Sequence, residues 1–160
     1  MTTIALQESP TQGMTQIEET MFYRARRAER FATAFGGFFW SGDTRELTDD
    51  QWFDASEALE SLMPSPETRA ATVALLDVEQ GHLDLKAPEG DRNTARAYYT
   101  LRKAARIAQP LVDAGVLDIG EVTPSMWRQA RITAGLHSNE APSDITRAAV
   151  AGIIYQRMNW

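Results

Sequence analysis

The sequence predicts an all-α fold, a compact bundle of five to six helices, and three observations support this prediction. Apolar residues recur at the three- and four-residue spacing of amphipathic helices along most of the chain. Capping side chains precede these segments. Strand signals are scarce, and the segment Val116-Leu117-Asp118-Ile119 is too short to build a sheet. A chain of 160 residues fits one domain. We therefore expect a single helical domain over 14–160 and an extended N-terminal arm over 1–13.

Short capping patterns predict where the helices begin. Thr15-Gln16-Ile17-Glu18 and Thr48-Asp49-Asp50-Gln51 are capping boxes, which satisfy backbone amides that a helix leaves free. Ser65-Pro66 and Thr123-Pro124 each place a capping hydroxyl before a proline in the first turn. Pro110 is expected to kink helix four or end it early, because proline lacks an amide donor. The predicted helices are one from Thr15 to Gly36-Gly37, two from Thr48 to about Met63, three from Ser65 to about Gln80, four from about Asp91 to Ala114, five from Thr123 to near Gly135 and six from Pro142 to about Met158.

Composition excludes several classes of protein. The chain has no cysteine, which excludes a disulfide scaffold, a thiol nucleophile and a thiolate zinc site. No apolar run approaches the roughly 20 residues needed to cross a bilayer. The N-terminus lacks the basic and apolar layout of a signal peptide. We therefore expect a cytoplasmic protein that does not contact membranes.

Charge is distributed unevenly along the chain, although the formal total is −6. Residues 41–91 carry thirteen acids and three bases, a net charge of −10, whereas residues 92–160 carry five acids and nine bases, a net charge of +4. Such an asymmetry indicates a charged partner, or the docking of one region on another. The negative total argues against a generic nucleic-acid coat.

Helix four carries a stripe of basic residues that recur at intervals of four, three, four and three. At about 100° per residue these positions share one face, and the apolar positions of the helix lie opposite. The stripe consists of Arg92, Arg96, Tyr99, Lys103 and Arg106. Residues 92–112 contain no acid that could offset the repulsion between these bases. Each pair of like charges four residues apart on a helix costs about 0.2–0.5 kcal/mol. The stripe is either an ordinary solvated face or a binding surface for an anionic partner, such as nucleic acid or an acidic protein surface.

An aromatic segment is the second candidate surface. Phe38, Phe39 and Trp40 are consecutive, so on a turn they cannot all point inward. Aromatic side chains are also favoured at binding hot spots. The segment belongs to a larger aromatic group that also contains Phe31, Phe35, Trp52 and Phe53. One interpretation is a hydrophobic core where helix one turns into helix two, and the other is an anchor for a partner.

Evidence for catalysis or for a metal site is weak. Glu79-Gln80-Gly81-His82 has the E-x-x-H spacing of ferritin-like di-iron proteins, but its glycine lies at an apparent helix end. We therefore interpret His82 as a surface residue. No phosphate-binding loop, nucleophile elbow or zinc-protease motif is present, so we expect no metal and no cofactor. Residues 134–136 resemble the turn of a helix-turn-helix motif, but the connection between helices five and six is longer than that motif uses.

These observations favour a non-enzymatic binding or assembly subunit that acts through protein–protein contacts. The acidic 41–91 region, the helix-four stripe and the aromatic turn at 38–40 would contact another protein or another copy. The alternative is a nucleic-acid-binding protein, a regulator or ribonucleoprotein subunit, that uses the stripe. A third hypothesis is an enzyme with carboxylate chemistry. Net charge favours the first hypothesis over the second, because long-range repulsion from phosphate opposes binding unless the bases are segregated.

Overall fold

The computed structural model describes residues 10–37, 44–136 and 142–159. Within these ranges the regular structure is helical throughout and contains no strand, which confirms the predicted all-α bundle. Two short 3-10 helices occupy Thr44–Glu46 and Ile119–Glu121. The described α-helices are α1 at Gln16–Gly37, α2 at Asp49–Ala58, α3 at Pro66–Glu79, α4 at Arg92–Asp113, α5 at Pro124–Thr133 and α6 at Asp144–Met158. None of them is both long and apolar enough to cross a membrane.

Helices α1 and α6 lie side by side and run in the same direction. Phe22 lies against Gly152 near one end of the contact, and Glu29 pairs with Arg157 farther along both helices. The two backbones approach so closely that a Cβ atom built on Gly152 would lie 2.3 Å from the carbonyl oxygen of Phe22. Only glycine permits this approach, because any larger residue would force the helices apart.

Helices α3 and α4 form a second pair with a common direction. Val73 and Thr94 line one small cavity, and one turn farther along both helices Tyr98 donates a hydrogen bond to Asp77. The two pairs pack on each other where α1 meets α3 and where α4 meets α6. Helix α2 packs on α1, and α5 packs on α4. The hydrophobic core therefore lies between the two pairs, with α2 and α5 on the outside.

The predicted helix caps are confirmed. In α1, the amide of Glu18 donates to the Thr15 hydroxyl at 3.2 Å, and the Thr15 amide donates to the Glu18 carboxylate at 3.1 Å. Thr48 and Gln51 form the same reciprocal pair at the start of α2. The predicted hydroxyl caps Ser65 of α3 and Thr123 of α5 are also present, while Ser143, which was not predicted, caps α6. These patterns are local, which is why sequence alone finds them.

The predicted end of helix two is wrong, since α2 stops at Ala58 rather than near Met63. Glu60 has a φ of 51°, and this left-handed turn ends the helix. Arg30 of α1 donates to the carbonyl of Leu59 at 3.1 Å, which satisfies an acceptor that the helix end leaves free. Arg30, a residue of another helix, thus helps to determine where α2 ends, and the sequence near the end of α2 does not reveal this contact.

Two further predictions concern Pro110 and the N-terminal arm. Helix α4 continues through Pro110 to Asp113, so the proline does not end it early. Residues 1–9 lie outside the described residues, and the arm over 1–13 therefore stays a prediction. Within the part that is described, residues 10–13 form a turn in which Thr11 is buried, and its carbonyl accepts the amide of Met14 at 3.0 Å.

Candidate binding surface on helix α4

Helix α4 presents most of the predicted stripe to solvent. Arg92, Arg96, Tyr99 and Lys103 are all exposed. The residues on the opposite side are buried, and they are Ala97, Leu101, Ala104, Ala108 and Leu111. The predicted phase of the two patterns is confirmed for these positions. We call the four exposed residues the basic face of α4.

Arg106, the fifth residue of the stripe, has a different environment. It is half-buried, and its guanidinium donates to the carbonyl of Ala134 at 2.7 Å. Ala134 is the residue at the C-terminal end of α5, where carbonyl groups lack a partner within the helix and a cation is favourable. Arg106 therefore fastens α5 to α4, and the freely exposed part of the stripe ends at Lys103.

The basic face is held in position by the connection that precedes α4. The hydroxyl of Tyr99 accepts the amide of Ala87 at 3.2 Å. Arg102 donates to the carbonyl of Leu85 at 2.6 Å, and its guanidinium lies 5.0 Å from the ring centroid of Tyr99. The ring of Tyr98 lies against the same guanidinium. The face is therefore preformed, because these contacts already order its central side chain.

The three bases of this face have no acidic partner within the described ranges. The salt bridges found there involve other bases, and they join Arg45 to Asp77, Arg69 to Asp49 and Arg157 to Glu29. Arg92, Arg96 and Lys103 take part in none of them. These three bases are therefore exposed and form no salt bridge with a described acid.

A buried polar cluster lies beside this surface, and sequence analysis missed it. Asp77 is 0% exposed. Its carboxylate accepts the hydroxyl of Thr44 at 2.8 Å, the guanidinium of Arg45 at 3.1 Å and the hydroxyl of Tyr98 at 2.5 Å. The sequence does contain a signal that Asp77 is buried, because it lies four residues after Val73 within an apolar run. The acidic surface of 41–91 is therefore smaller than the sum of its charges indicates.

Protonation states in this cluster are fixed by burial and pairing. Burial raises the pKa of Tyr98 above its ordinary value, and the hydrogen bond to Asp77 acts in the same direction. Burial lowers the pKa of Arg45, but hydrogen bonds with Tyr98 and Asp77 and attraction to the carboxylate outweigh this effect, so the pKa is raised. Near neutral pH, Tyr98 thus keeps its proton and Arg45 its charge.

Helix α2 presents the opposite charge to solvent. Asp50, Phe53, Asp54 and Glu57 are exposed and share one side of the helix, while Trp52 is buried on the other. We call the four exposed residues the acidic face of α2. Its three carboxylates form no salt bridge with the described bases. Charge of both signs is therefore segregated on two helices of the same chain.

The aromatic group divides into core and surface residues. Phe31, Phe35 and Trp52 are buried, and the Trp52 ring contacts the two phenylalanine rings edge-on at centroid distances of 5.8 and 4.9 Å. These residues confirm the core interpretation where they are described. Phe53 is 51% exposed. The predicted partner-binding turn of Phe38, Phe39 and Trp40 lies outside the described residues and stays a prediction.

The remaining motifs supply no further site. His82 is exposed just after Gly81, which ends the turn that follows α3 with a φ of 80°, while His137 lies outside the described residues. In the ranges that the structure describes, no group of three or more histidine and carboxylate side chains is placed to hold a metal ion. Helix α6 is buried along most of its length, so it does not present a recognition surface of the helix-turn-helix kind.

A cleft of about 1010 Å³ opens between the C-terminal halves of α1, α3 and α4. Its walls include Ala32, Leu75 and Ala105. The buried carboxylate of Glu29 is paired with Arg157 at 2.7 Å. The cleft is also lined by Glu79 and Asp113, which are exposed and form no salt bridge with a described base, so its exposed, unpaired charge is acidic.

Comparisons with protein-family models, with curated proteins and with solved structures found no match to this chain. The class of protein is therefore defined by its own structure. It is an all-α protein built on two helix pairs, with one basic and one acidic helix face exposed to solvent.

Proposed function

We propose that the protein is a non-enzymatic binding or assembly subunit that docks on an acidic protein surface through the basic face of α4. The observation that carries this proposal is the set of exposed, unpaired bases around Tyr99 on a helix whose other side is anchored in the core. Like charges on one helix face repel one another slightly in the isolated subunit. An acidic partner would replace that repulsion by attraction, which favours fast and specific association.

Tyr99 supplies the aromatic part of the proposed surface. It is 43% exposed, and its hydroxyl already has a hydrogen-bond partner. Burying the ring in an interface would add apolar contact, and the hydroxyl proton, which the contact with Ala87 does not use, could be donated to a carboxylate of the partner. Tyrosine beside arginine is a common composition of the residues that dominate binding energy.

A protein partner fits this surface better than nucleic acid does. Proteins that bind duplex DNA strongly through its backbone make roughly 6–10 phosphate contacts, whereas the basic face offers Arg92, Arg96 and Lys103. The formal charge of −6 and the exposed acids of α2 also repel a polyphosphate at long range. The proposal includes a cytoplasmic location, because a chain without cysteine suits a reducing compartment.

The test reverses two charges on the face, Arg96→Glu and Lys103→Glu. Such a reversal in a complementary contact costs several kcal/mol, so we expect binding to weaken by at least about a hundredfold. The measurement is capture by immobilised protein from nuclease-treated native lysate, followed by titration of the captured protein. The control is Ser125→Glu, Arg128→Glu and Gln129→Glu on α5, which changes the net charge equally at exposed positions outside the face.

The control variant should retain binding, and both variants should keep the helical circular dichroism of the wild type. Equal capture by wild type and face variant would contradict the proposal. Labelled duplex DNA and single-stranded RNA form a separate arm of the experiment. Tight binding there, weakening steeply with salt and lost in the face variant, would establish the nucleic-acid function instead.

A further inference from the structure

We infer that the acidic partner is a second copy of this chain, and that the acidic face of α2 in one copy docks head to tail on the basic face of α4 in the next. This inference rests on the proposed function and names the partner of the same surface.

The acidic face is preformed, like the basic one. Trp52 anchors α2 in the core by its contacts with Phe31 and Phe35. Thr48 caps the first turn of α2, and Arg30 of α1 binds the carbonyl that follows its last turn. The helix therefore holds its outward side chains in a fixed arrangement before any partner binds, which lowers the entropic cost of association.

The two faces are complementary in charge and in composition. Three unpaired carboxylates on α2 correspond to three unpaired bases on α4. Each face also carries one exposed aromatic ring, Phe53 at 51% and Tyr99 at 43% exposure. An interface between them would thus combine a central apolar contact with charges around it, which is the usual anatomy of a protein interface.

The lengths of the two faces are compatible. At 1.5 Å per residue, the acidic face from Asp50 to Glu57 extends over about 10 Å, and the basic face from Arg92 to Lys103 over about 16 Å. The carboxylates of α2 therefore fit within the row of bases when the helices lie alongside each other. Both sets recur at three- and four-residue spacing, so the charged side chains lie at similar intervals.

A contact between the acidic face and the basic face requires two copies, because the two faces do not meet within one chain. Helix α2 packs on α1, whereas α4 packs on α3, α5 and α6, and no salt bridge among the described residues joins α2 to α4. The two faces are different surfaces of one subunit, so the contact is heterologous. Such contacts generate closed rings or open chains of subunits rather than a symmetric dimer.

The experiment exchanges the charges of the two faces. The base-reversed variant carries Arg96→Glu and Lys103→Glu, and the acid-reversed variant carries Asp54→Arg and Glu57→Arg. Alone, each variant presents the same sign of charge on both faces, so its subunits repel one another. In an equimolar mixture every face meets one of opposite charge. Sedimentation velocity at about 50 mM and about 300 mM salt measures association, since salt screens exposed charges.

We expect the wild type to self-associate at low salt and each variant alone to associate at least about a hundredfold more weakly. The mixture should recover association, and the α5 variant Ser125→Glu, Arg128→Glu and Gln129→Glu should behave like the wild type. Recovery in the mixture identifies the α2–α4 contact, because a general loss of folding in either variant could not produce it.

Two outcomes would overturn the inference. One is that the wild type stays monomeric at every protein concentration measured. The other is that the equimolar mixture associates no better than the base-reversed or the acid-reversed variant alone. If the base-reversed variant nevertheless loses captured acidic proteins from lysate, the proposed function stands and the partner is another protein. If capture is also unaffected, both proposals fail.

Discussion

Tyr98 and Tyr99 are consecutive residues of α4 with opposite environments. Tyr98 is 0% exposed, and its hydroxyl donates a hydrogen bond to Asp77. Tyr99 is 43% exposed and lies at the centre of the basic face. In the buried cluster every charge has a partner of opposite sign. On the basic face, none of the bases pairs with a described acid. The comparison separates charges that hold the fold together from charges that the fold does not use.

The difference follows from solvation. Removing a charge from water is costly, so a buried carboxylate persists only if it is paired and hydrogen-bonded. An exposed base remains hydrated, and leaving it unpaired costs the fold little. Substitutions in the Asp77 cluster should therefore change the free energy of unfolding, and those on the basic face should change association.

The largest effect is expected for Asp77→Ala. The substitution removes the partner of Arg45 and leaves the hydroxyls of Thr44 and Tyr98 without their acceptor. Breaking a buried pair costs about 3–5 kcal/mol, and the partial exposure of Arg45 favours the lower end. Urea unfolding measures this loss, with Asp54→Ala as the matched control on the acidic face, where a change within about 0.5 kcal/mol is expected. Similar values for both variants would remove the proposed distinction.

A smaller effect is expected when single hydroxyl groups are removed. Tyr98→Phe leaves Asp77 with one acceptor site unfilled in a buried environment, so we expect a loss of about 1–3 kcal/mol in the free energy of unfolding. Tyr99→Phe removes a hydrogen bond at an exposed site, and the expected loss is below about 0.5 kcal/mol. Thermal and urea melts of the two variants provide the comparison. A greater loss for Tyr99→Phe would contradict the assignment of the cluster.

The smallest effect concerns alkaline pH. The pKa of Tyr98 is raised in the folded state, while an unfolded tyrosine titrates near its ordinary value of about 10. The stabilisation by Tyr98 should therefore be complete below about pH 10 and should be lost as pH rises through the folded pKa. The difference in unfolding free energy between wild type and Tyr98→Phe, followed from neutral to alkaline pH, isolates this contribution. A difference that grows with rising pH would have the wrong sign.

Sequence reasoning predicted those parts of the fold that depend on neighbouring residues. The caps at Thr15, Thr48 and Ser65 and the phase of the two sides of α4 were correct, because spacing along one helix determines both. The surface position of Arg92, Arg96 and Lys103 was predicted for the same reason. Their binding role stays a proposal, because no contact within the chain tests it.

Three of the errors involve contacts between distant parts of the chain. Helix α2 ends early where Arg30 binds the carbonyl of Leu59, and Arg106 leaves the exposed stripe because it binds Ala134. Asp77 was counted as surface charge although Arg45 and two hydroxyl groups enclose it. An arginine side chain takes part in each of these contacts, and residue spacing alone does not indicate its target.

The close approach of Phe22 and Gly152 also constrains the order in which the protein folds. The contact joins positions that are 130 apart in the sequence, so α1 cannot complete its packing until the chain through α6 has left the ribosome. Bringing such distant segments together is entropically costly and slows folding. During synthesis, the apolar side of α1 that α6 will cover therefore stays available to chaperones.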